Sequence, residues 1–178
     1  MADGLVHLVG IVGAVAGVGV LLGIALLRGD AAEFTVLSIY GGGLLAMLGC
    51  SAAYNLTPTE RWRDLLRRFD HAAIFAMIAG TYTPFTVLHL DGLWGAGPTA
   101  VIWSAAASGI ALRLWWPNRC EPCFIALYLA LGWIGVVAIG PLLSSLGFWT
   151  VALIVTGGLL YSAGVVFHVW ERLPFQRA

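Results

Sequence analysis

Residues 51–74 read SAAYNLTPTERWRDLLRRFDHAAI, and this polar, arginine-rich stretch separates two long apolar segments. The segment before it carries Ser51 and Asn55 near its end, and the segment after it opens with Asp70 and His71. Ionisable side chains inside a membrane helix are costly and are therefore candidates for a functional site. If the flanking segments cross a membrane, the end of the first helix and the start of the next lie on the same side of it, and this stretch connects them.

The composition of the whole chain indicates a lipid environment. The chain has 178 residues, of which 60% are hydrophobic and 10% are charged, and its mean hydropathy is +0.91. Soluble domains carry about 25% charged residues. The formal net charge is zero, so nothing predicts a nucleic-acid partner. Three cysteines are too few for the disulfide framework of a small secreted domain.

Six apolar segments are each long enough to cross a bilayer, which takes about 20 residues. The first exceeds the apolar core of a signal peptide, which has about 7–15 residues, so we predict a retained helix. The prediction is an all-α fold, a polytopic transmembrane helical bundle forming one integral membrane domain over residues 1–178. The predicted spans cover residues 5–27, 34–56, 70–90, 95–115, 123–143 and 148–170.

The basic residues predict the orientation of the chain, because lysine and arginine accumulate in cytoplasmic loops. All nine are arginines. With six spans, only Arg28 falls on the side opposite the N-terminus. The others are Arg61, Arg63, Arg67, Arg68, Arg113, Arg119, Arg172 and Arg177. We therefore predict a protein of the bacterial inner membrane with its N-terminus and, given six spans, its C-terminus in the cytoplasm.

This topology brings most of the polar side chains to one depth, near the inner face. They are His7, Ser51, Tyr54, Asn55, Arg68, Asp70, His71 and His168. A carboxylate such as Asp70 can act as a general base, and neutral histidines can bind zinc. No two of these histidines have i, i+4 spacing, however. The alternative is that these polar groups only meet water and lipid headgroups.

The loop before the third predicted span carries a basic patch of four arginines. They are Arg61, Arg63, Arg67 and Arg68. Such a patch suits the anionic headgroups of a lipid bilayer. The alternative is that the patch only determines topology. The oligomeric state stays open.

Several motifs are similar to those of one membrane-protein family. They are Ser51-x-x-Tyr54-Asn55, Arg68-Phe69-Asp70-His71-Ala-Ala-Ile74, Ala79-Gly80-Thr81-Tyr82-Thr83-Pro84-Phe85 and, late in the chain, Gly157-Gly158-Leu-Leu-Tyr161-Ser-Ala-Gly164-Val-Val-Phe167. They resemble the haemolysin III family, which belongs to the progestin and adipoQ receptor superfamily. The resemblance extends over essentially the whole chain.

The resemblance implies seven helices and a zinc site near the cytoplasmic face. In the family, one His of a Ser-x-x-x-His motif in helix 2 and two of a His-x-x-x-His motif in helix 7 bind the zinc. An Asp at the start of helix 3 holds the zinc-bound water. Ser51 matches the serine of the helix 2 motif and Asp70 matches the aspartate of helix 3, so the resemblance implies that they are catalytic residues. Asn55 stands where the family has the zinc-binding histidine of helix 2. The sequence ends at Ala178, where helix 7 is expected. Two explanations stay open: a sequence that stops short of that helix, or a branch without the metal.

Three functions agree with these features. An integral membrane protein of the haemolysin III type would have a cytolytic or membrane-homeostasis role. A zinc-dependent intramembrane lipid amide hydrolase, or its metal-free relative, would use Asp70 to position the attacking water and Ser51 to support it. A non-enzymatic sensor of lipid state would use the basic patch. The residues alone do not decide whether the chain is an enzyme.

Overall fold

The structure, a computed structural model, describes residues 2–117, 121–138, 140 and 146–169. These residues form six α-helices, and no strand occurs among them. The helices are α1 (Ala2–Arg28), α2 (Ala31–Leu56), α3 (Glu60–Leu88), α4 (Gly92–Trp115), α5 (Glu121–Trp133) and α6 (Phe148–Val169). The predicted all-α, polytopic helical fold is therefore confirmed.

Within the described ranges, α1 to α4 and α6 are long and apolar enough to cross a membrane. The predicted fifth span, residues 123–143, contains α5 and the 3₁₀ helix Ile134–Ala138 that follows it. Residues 139 and 141–143 of that span lie outside the described residues. The prediction of a single domain over the whole chain stays a prediction.

Helix α3 begins at Glu60, well before the predicted span that starts at Asp70. Pro58 lacks the backbone N–H that a helix interior needs, and Thr59 is the extended N-cap residue. After it, Asp64 forms ion pairs with residues three and four positions later, a spacing that places side chains on one helix face. The arginine-rich stretch is therefore mostly helix, although its hydropathy alone marked it as a connection.

A short turn joins α1 to α2. Gly29 has a φ of 72°, in the left-handed region where glycine carries no steric penalty. The Asp30 side chain then accepts hydrogen bonds from the backbone N–H groups of Ala32, at 2.8 Å, and Glu33, at 3.0 Å. Because these N–H groups have no intrahelical acceptor, Asp30 caps the start of α2.

Helices α1 to α4 form one compact unit of the chain, and α5 with α6 belongs to a second. In the first unit, α2 and α3 approach each other at two glycines. A Cβ added at Gly43 would lie 3.2 Å from the carbonyl oxygen of Ala76, and one added at Gly80 would lie 3.3 Å from that of Ile39. Small residues allow such close backbone contact, which is how helices pack without a hydrophobic driving force in lipid.

Helices α3 and α4 are joined by both apolar and polar contacts. Phe75, with no exposed surface, packs against Gly109, where an added Cβ would lie 2.5 Å from the ring. Thr99 donates its hydroxyl to Thr86 at 2.6 Å. The Trp103 indole N–H donates to the Thr83 hydroxyl at 3.1 Å. These contacts fix α3, and with it the side chains near its start, against α4.

In the second unit, α5 contacts α6. The Trp133 indole N–H donates to the Ser162 hydroxyl at 2.9 Å, and Gly132 lies beside the Tyr161 ring. Large aliphatic and aromatic side chains cover much of the outer surface of both units. On α1 and α6 these include Leu5, Val9, Val12, Leu26, Trp149, Leu153 and Leu160. Such surfaces suit contact with lipid tails.

Candidate functional site

Polar side chains from α1, α2 and α3 meet at one end of the first unit, and we call His7, Ser51, Asn55 and Asp70 the Ser51 cluster. The Ser51 Oγ and His7 Nε2 atoms lie 3.5 Å apart. The Asn55 amide donates to the Ser51 carbonyl at 2.9 Å and lies 3.4 Å from its Oγ. The cluster therefore centres on one serine hydroxyl.

The Asp70 carboxylate completes this cluster from α3. It is half-buried and close enough to the Ser51 hydroxyl for a side-chain hydrogen bond, and it interacts electrostatically with His7 and His71. A hydroxyl has a single proton to donate. The Ser51 hydroxyl can therefore donate a hydrogen bond to His7 or to Asp70, but not to both at once.

The sequence explains why these side chains converge. Ser51 and Asn55 are four residues apart and so share one face of α2. Two glycines of α1 pack against that helix: a Cβ added at Gly4 would lie 3.7 Å from Leu56, and one at Gly10 would lie 3.8 Å from Leu48. His7 lies midway between these glycines along α1 and is thereby held opposite Ser51.

The four arginines of the predicted basic patch differ in their contacts. Arg67 and Arg68 both pair with Asp64, at 2.9 and 2.8 Å. The Arg61 guanidinium lies 5.5 Å from the centre of the Trp62 ring. That of Arg63 lies 5.9 Å from the centre of the Tyr54 ring. The patch is therefore partly neutralised by Asp64, which sequence reasoning had not weighed.

Arg68 also connects α3 to the end of α4. Its Nη1 lies 3.4 Å from the Leu114 carbonyl oxygen, one of the carbonyls left without an intrahelical donor at a helix C-terminus. Arg113, the residue before Leu114, is only 2% exposed and donates to the Pro117 carbonyl at 3.5 Å. Sequence reasoning used Arg113 only for topology. Its position in the last turn of an apolar helix could have indicated a hydrogen bond to a carbonyl at the end of that helix.

Two further histidines, His71 and His168, belong to the predicted polar group. His71 is half-buried beside Asp70. His168 belongs to α6, but its side chain lies outside what the structure describes, so its predicted membership of the polar group stays a prediction. Cys50, the neighbour of Ser51, interacts with Asp70, and sequence reasoning missed it because an isolated cysteine carries no pattern.

The model of the family described as haemolysin-III related matches residues 1–176 of the chain. The chain belongs to the haemolysin III family. It is 33% identical to the hemolysin-3 homolog of Bacillus subtilis (strain 168) over an aligned length of 171 residues, and the alignment covers 91% of this chain and 80% of that relative. It is 32% identical to the hemolysin-3 of Bacillus cereus over 178 residues, which are 100% of this chain and 81% of that relative. No solved structure gives a significant match.

The zinc that the family resemblance implies does not fit the described residues of this haemolysin III protein. Asn55 occupies the position of the helix 2 histidine, and its amide is turned to Ser51. An amide is a poor substitute for the nitrogen and sulfur ligands that zinc prefers. In the described ranges, no three His, Cys, Asp or Glu side chains are grouped so that they could hold a metal ion.

The side chains of the Ser51 cluster themselves combine three chemical abilities. The hydroxyl of Ser51 donates or accepts, the carboxylate of Asp70 accepts, and the imidazole of His7 does either, depending on its tautomer. These groups are suited to hold the polar part of an amphipathic molecule at the end of the helix bundle. They are also suited to move a proton over a short distance.

Proposed function

We propose that this haemolysin III protein has a membrane-homeostasis role and binds the polar part of a lipid at the Ser51 cluster. One observation carries the proposal: His7, Ser51 and Asp70 come from three successive helices and converge on one hydroxyl. Polar groups at membrane depth are expensive and mark binding or transport sites.

The orientation follows from the arginines. We propose that the Ser51 cluster lies at the cytoplasmic face of the inner membrane, with the N-terminus and, given six spans, the C-terminus on that side. Arg61, Arg63, Arg67 and Arg68 then meet lipid headgroups, anionic ones included. Reporter tags that are accessible only from the cytoplasm are expected at residue 58 and at the N-terminus. A tag at residue 58 that is accessible only from outside would contradict this orientation.

The function is tested by complementation. A strain lacking the gene is expected to grow poorly under lipid-fluidity stress, such as a temperature downshift or benzyl alcohol, and the wild-type gene should restore growth. Ser51→Ala and Asp70→Asn should fail to restore it at equal protein level in the membrane. Ser38→Ala is the matched control, because Ser38 lies on α2 and bonds only its own helix, at the Phe34 carbonyl.

Two results would contradict the homeostasis role. The first is equal growth of the deletion strain and its parent under every fluidity stress applied. The second is full restoration of growth by the Ser51→Ala, Asp70→Asn double variant. The control variant guards against a trivial effect of removing any hydroxyl from α2.

A hydrolytic role is a second candidate, favoured by the position of Ser51 between His7 and Asp70. Asp70 would take a proton from a water molecule as the water oxygen bonds to the carbonyl carbon of a lipid amide. The carbon–nitrogen bond would then break and the proton would pass to the leaving amine, which gives a fatty acid and an amine. A general base contributes about 10²–10⁴-fold to a rate. Fatty-acid release from purified protein should fall by that factor in Asp70→Asn and should persist with a chelator. Release that the chelator abolishes would contradict metal-free hydrolysis.

Cytolysis is the third candidate, and its support is the similarity of the chain to the Bacillus cereus relative, which is named hemolysin-3. A cytolytic protein should release dye from lipid vesicles at low protein-to-lipid ratio. Vesicles that stay intact, while the complementation assay succeeds, would contradict cytolysis and leave the homeostasis role in place.

A further inference from the structure

An open cleft lies between the end of α2 and the first turns of α3, outside the Ser51 cluster. It has a volume of about 320 Å³ and is lined by Tyr54, Glu60, Arg63, Asp64 and Arg67. The four charged residues come from one face of α3, because positions i, i+3, i+4 and i+7 lie together on a helix. Two of them are acidic and two are basic, so the lining carries both signs and no net charge.

The charges of this cleft are not all used within the protein. Arg67 is paired with Asp64 at 2.9 Å. Within the part of the chain that the structure describes, Glu60 and Arg63 take part in no ion pair, and both are exposed. The cleft therefore presents one available carboxylate and one available guanidinium, a single turn of helix apart.

A ligand that satisfies both groups must itself carry both charges. A phosphate would bind Arg63, since arginine donates two parallel hydrogen bonds to phosphate oxygens. A purely anionic headgroup would also face the Glu60 carboxylate, which has no ion-pair partner among the described residues and would repel it. A zwitterionic headgroup places a cation beside Glu60 instead.

The cation is expected to be a primary ammonium. Quaternary ammonium groups are recognised by open aromatic faces, but the Tyr54 ring is already covered by Arg63, 5.9 Å from its centre. A carboxylate such as Glu60 accepts charge-assisted hydrogen bonds from N–H groups, and a quaternary ammonium has none to donate. These contacts favour ethanolamine over choline.

The face of α3 opposite the cleft indicates that the ligand belongs to the membrane. Trp62, Leu65 and Phe69 are exposed, and their spacing places them on a separate face of α3. Tryptophan beside arginine is typical of the membrane–water interface. We therefore expect the cleft to lie at the depth of lipid headgroups, where phosphate and ammonium are at high local concentration.

We propose that the cleft lined by Tyr54, Glu60, Arg63, Asp64 and Arg67 binds the phosphoethanolamine headgroup of a membrane lipid. The proposal rests on the headgroup contact of the arginine segment stated above and names its ligand class. It is independent of the Ser51 cluster, whose residues do not line the cleft.

The test uses the purified full chain in detergent micelles and short-chain lipids whose headgroups are phosphoethanolamine, phosphocholine or phosphoglycerol. Glycerophosphoethanolamine, which lacks acyl chains, distinguishes a lipid from a soluble ligand. Affinities are measured by thermophoresis for the wild type, Glu60→Gln, Arg63→Gln and the control Arg28→Gln. The Arg28 side chain pairs with Glu33 at 3.1 Å and lies outside both the cleft and the basic patch.

The ethanolamine lipid is expected to bind about tenfold more tightly than the choline lipid, since a hydrogen bond to a charged group contributes at least that factor. Glu60→Gln and Arg63→Gln should each weaken it about tenfold, and Arg28→Gln should leave it unchanged. Circular dichroism of each variant establishes that the helices are intact.

Equal affinity for the ethanolamine and choline lipids, or an unchanged affinity in Glu60→Gln, would overturn the proposal. Binding of the phosphoglycerol lipid alone would overturn it while supporting the broader headgroup contact. Glycerophosphoethanolamine binding as tightly as the lipid would overturn the membrane source of the ligand. Failure of every lipid to bind would overturn both the proposal and the headgroup contact.

Discussion

The contact between Gly109 and Phe75 gives the sharpest test of how α3 and α4 pack. In Gly109→Ala, the new Cβ would lie 2.5 Å from two ring carbons of Phe75 and 2.7 Å from a third. Ordinary contacts between carbon atoms are about 3.5–4.0 Å, so the ring or the helix must move by about 1 Å. The ring has no exposed surface, and therefore it has little room to do so.

The magnitude follows from two opposing effects. Overpacking a well-packed core costs about 1–3 kcal/mol, and three simultaneous close contacts favour the upper end. Replacing a glycine inside a helix by alanine contributes about 1 kcal/mol of stability. We therefore expect Gly109→Ala to lower the free energy of unfolding by about 2 kcal/mol. Gly42→Ala in α2, where the added Cβ meets nothing within 4 Å, should instead raise it by up to about 1 kcal/mol.

The assay is reversible unfolding in mixed micelles, followed by circular dichroism as the fraction of denaturing detergent rises. A double-mutant cycle with Phe75→Leu isolates the contact, because leucine lacks the ring atoms that meet the new Cβ. In that background most of the cost of Gly109→Ala should vanish, a coupling of at least about 1 kcal/mol. The reasoning is refuted if Gly109→Ala is as stable as Gly42→Ala. It is also refuted if its cost is the same with and without the Phe75 ring.

Three further predictions concern hydrogen bonds made by side chains. Asp30→Ala removes the cap of α2 and should cost about 1 kcal/mol, measured in the same titration; an unchanged midpoint would contradict the capping role. Trp103→Phe removes the donor to Thr83 and should cost about 1 kcal/mol, with Trp94→Phe, exposed at the start of α4, as the control. Ser162→Ala removes the acceptor of the Trp133 indole N–H, whose NMR resonance should move upfield; no movement would mean that this bond is absent in solution.

The helices themselves were predictable because lipid demands long apolar segments. The segments ending at Leu27 and Leu56 correspond to α1 and α2 within a few residues. The early start of α3 was not predicted, because hydropathy does not detect an amphipathic, charged helix turn. Its signals were Pro58, the cap position at Thr59 and the spacing of Asp64 from Arg67 and Arg68.

The site was predicted in part. Shared depth placed His7, Ser51, Asn55 and Asp70 near one another, but depth alone does not say that side chains touch. The contact between His7 and Ser51 depends on how α1 packs on α2. The tightest approach of these helices at a glycine is that of Val18 in α1 to Gly41 in α2, and a single sequence does not show which small residue receives such a contact. The burial of Arg113 likewise depends on the tertiary packing around the last turn of α4.

The hydroxyl of Thr99 and the indole of Trp103 have a mechanical consequence for α4. Both donate to hydroxyls on α3, and hydrogen bonds, unlike apolar contacts, are directional. One residue corresponds to about 100° of rotation about a helix axis, so α4 cannot turn by even one residue without breaking both bonds. Rotation of α4 about its own axis is therefore restrained both by these two directional bonds and by the steric contact between Phe75 and Gly109.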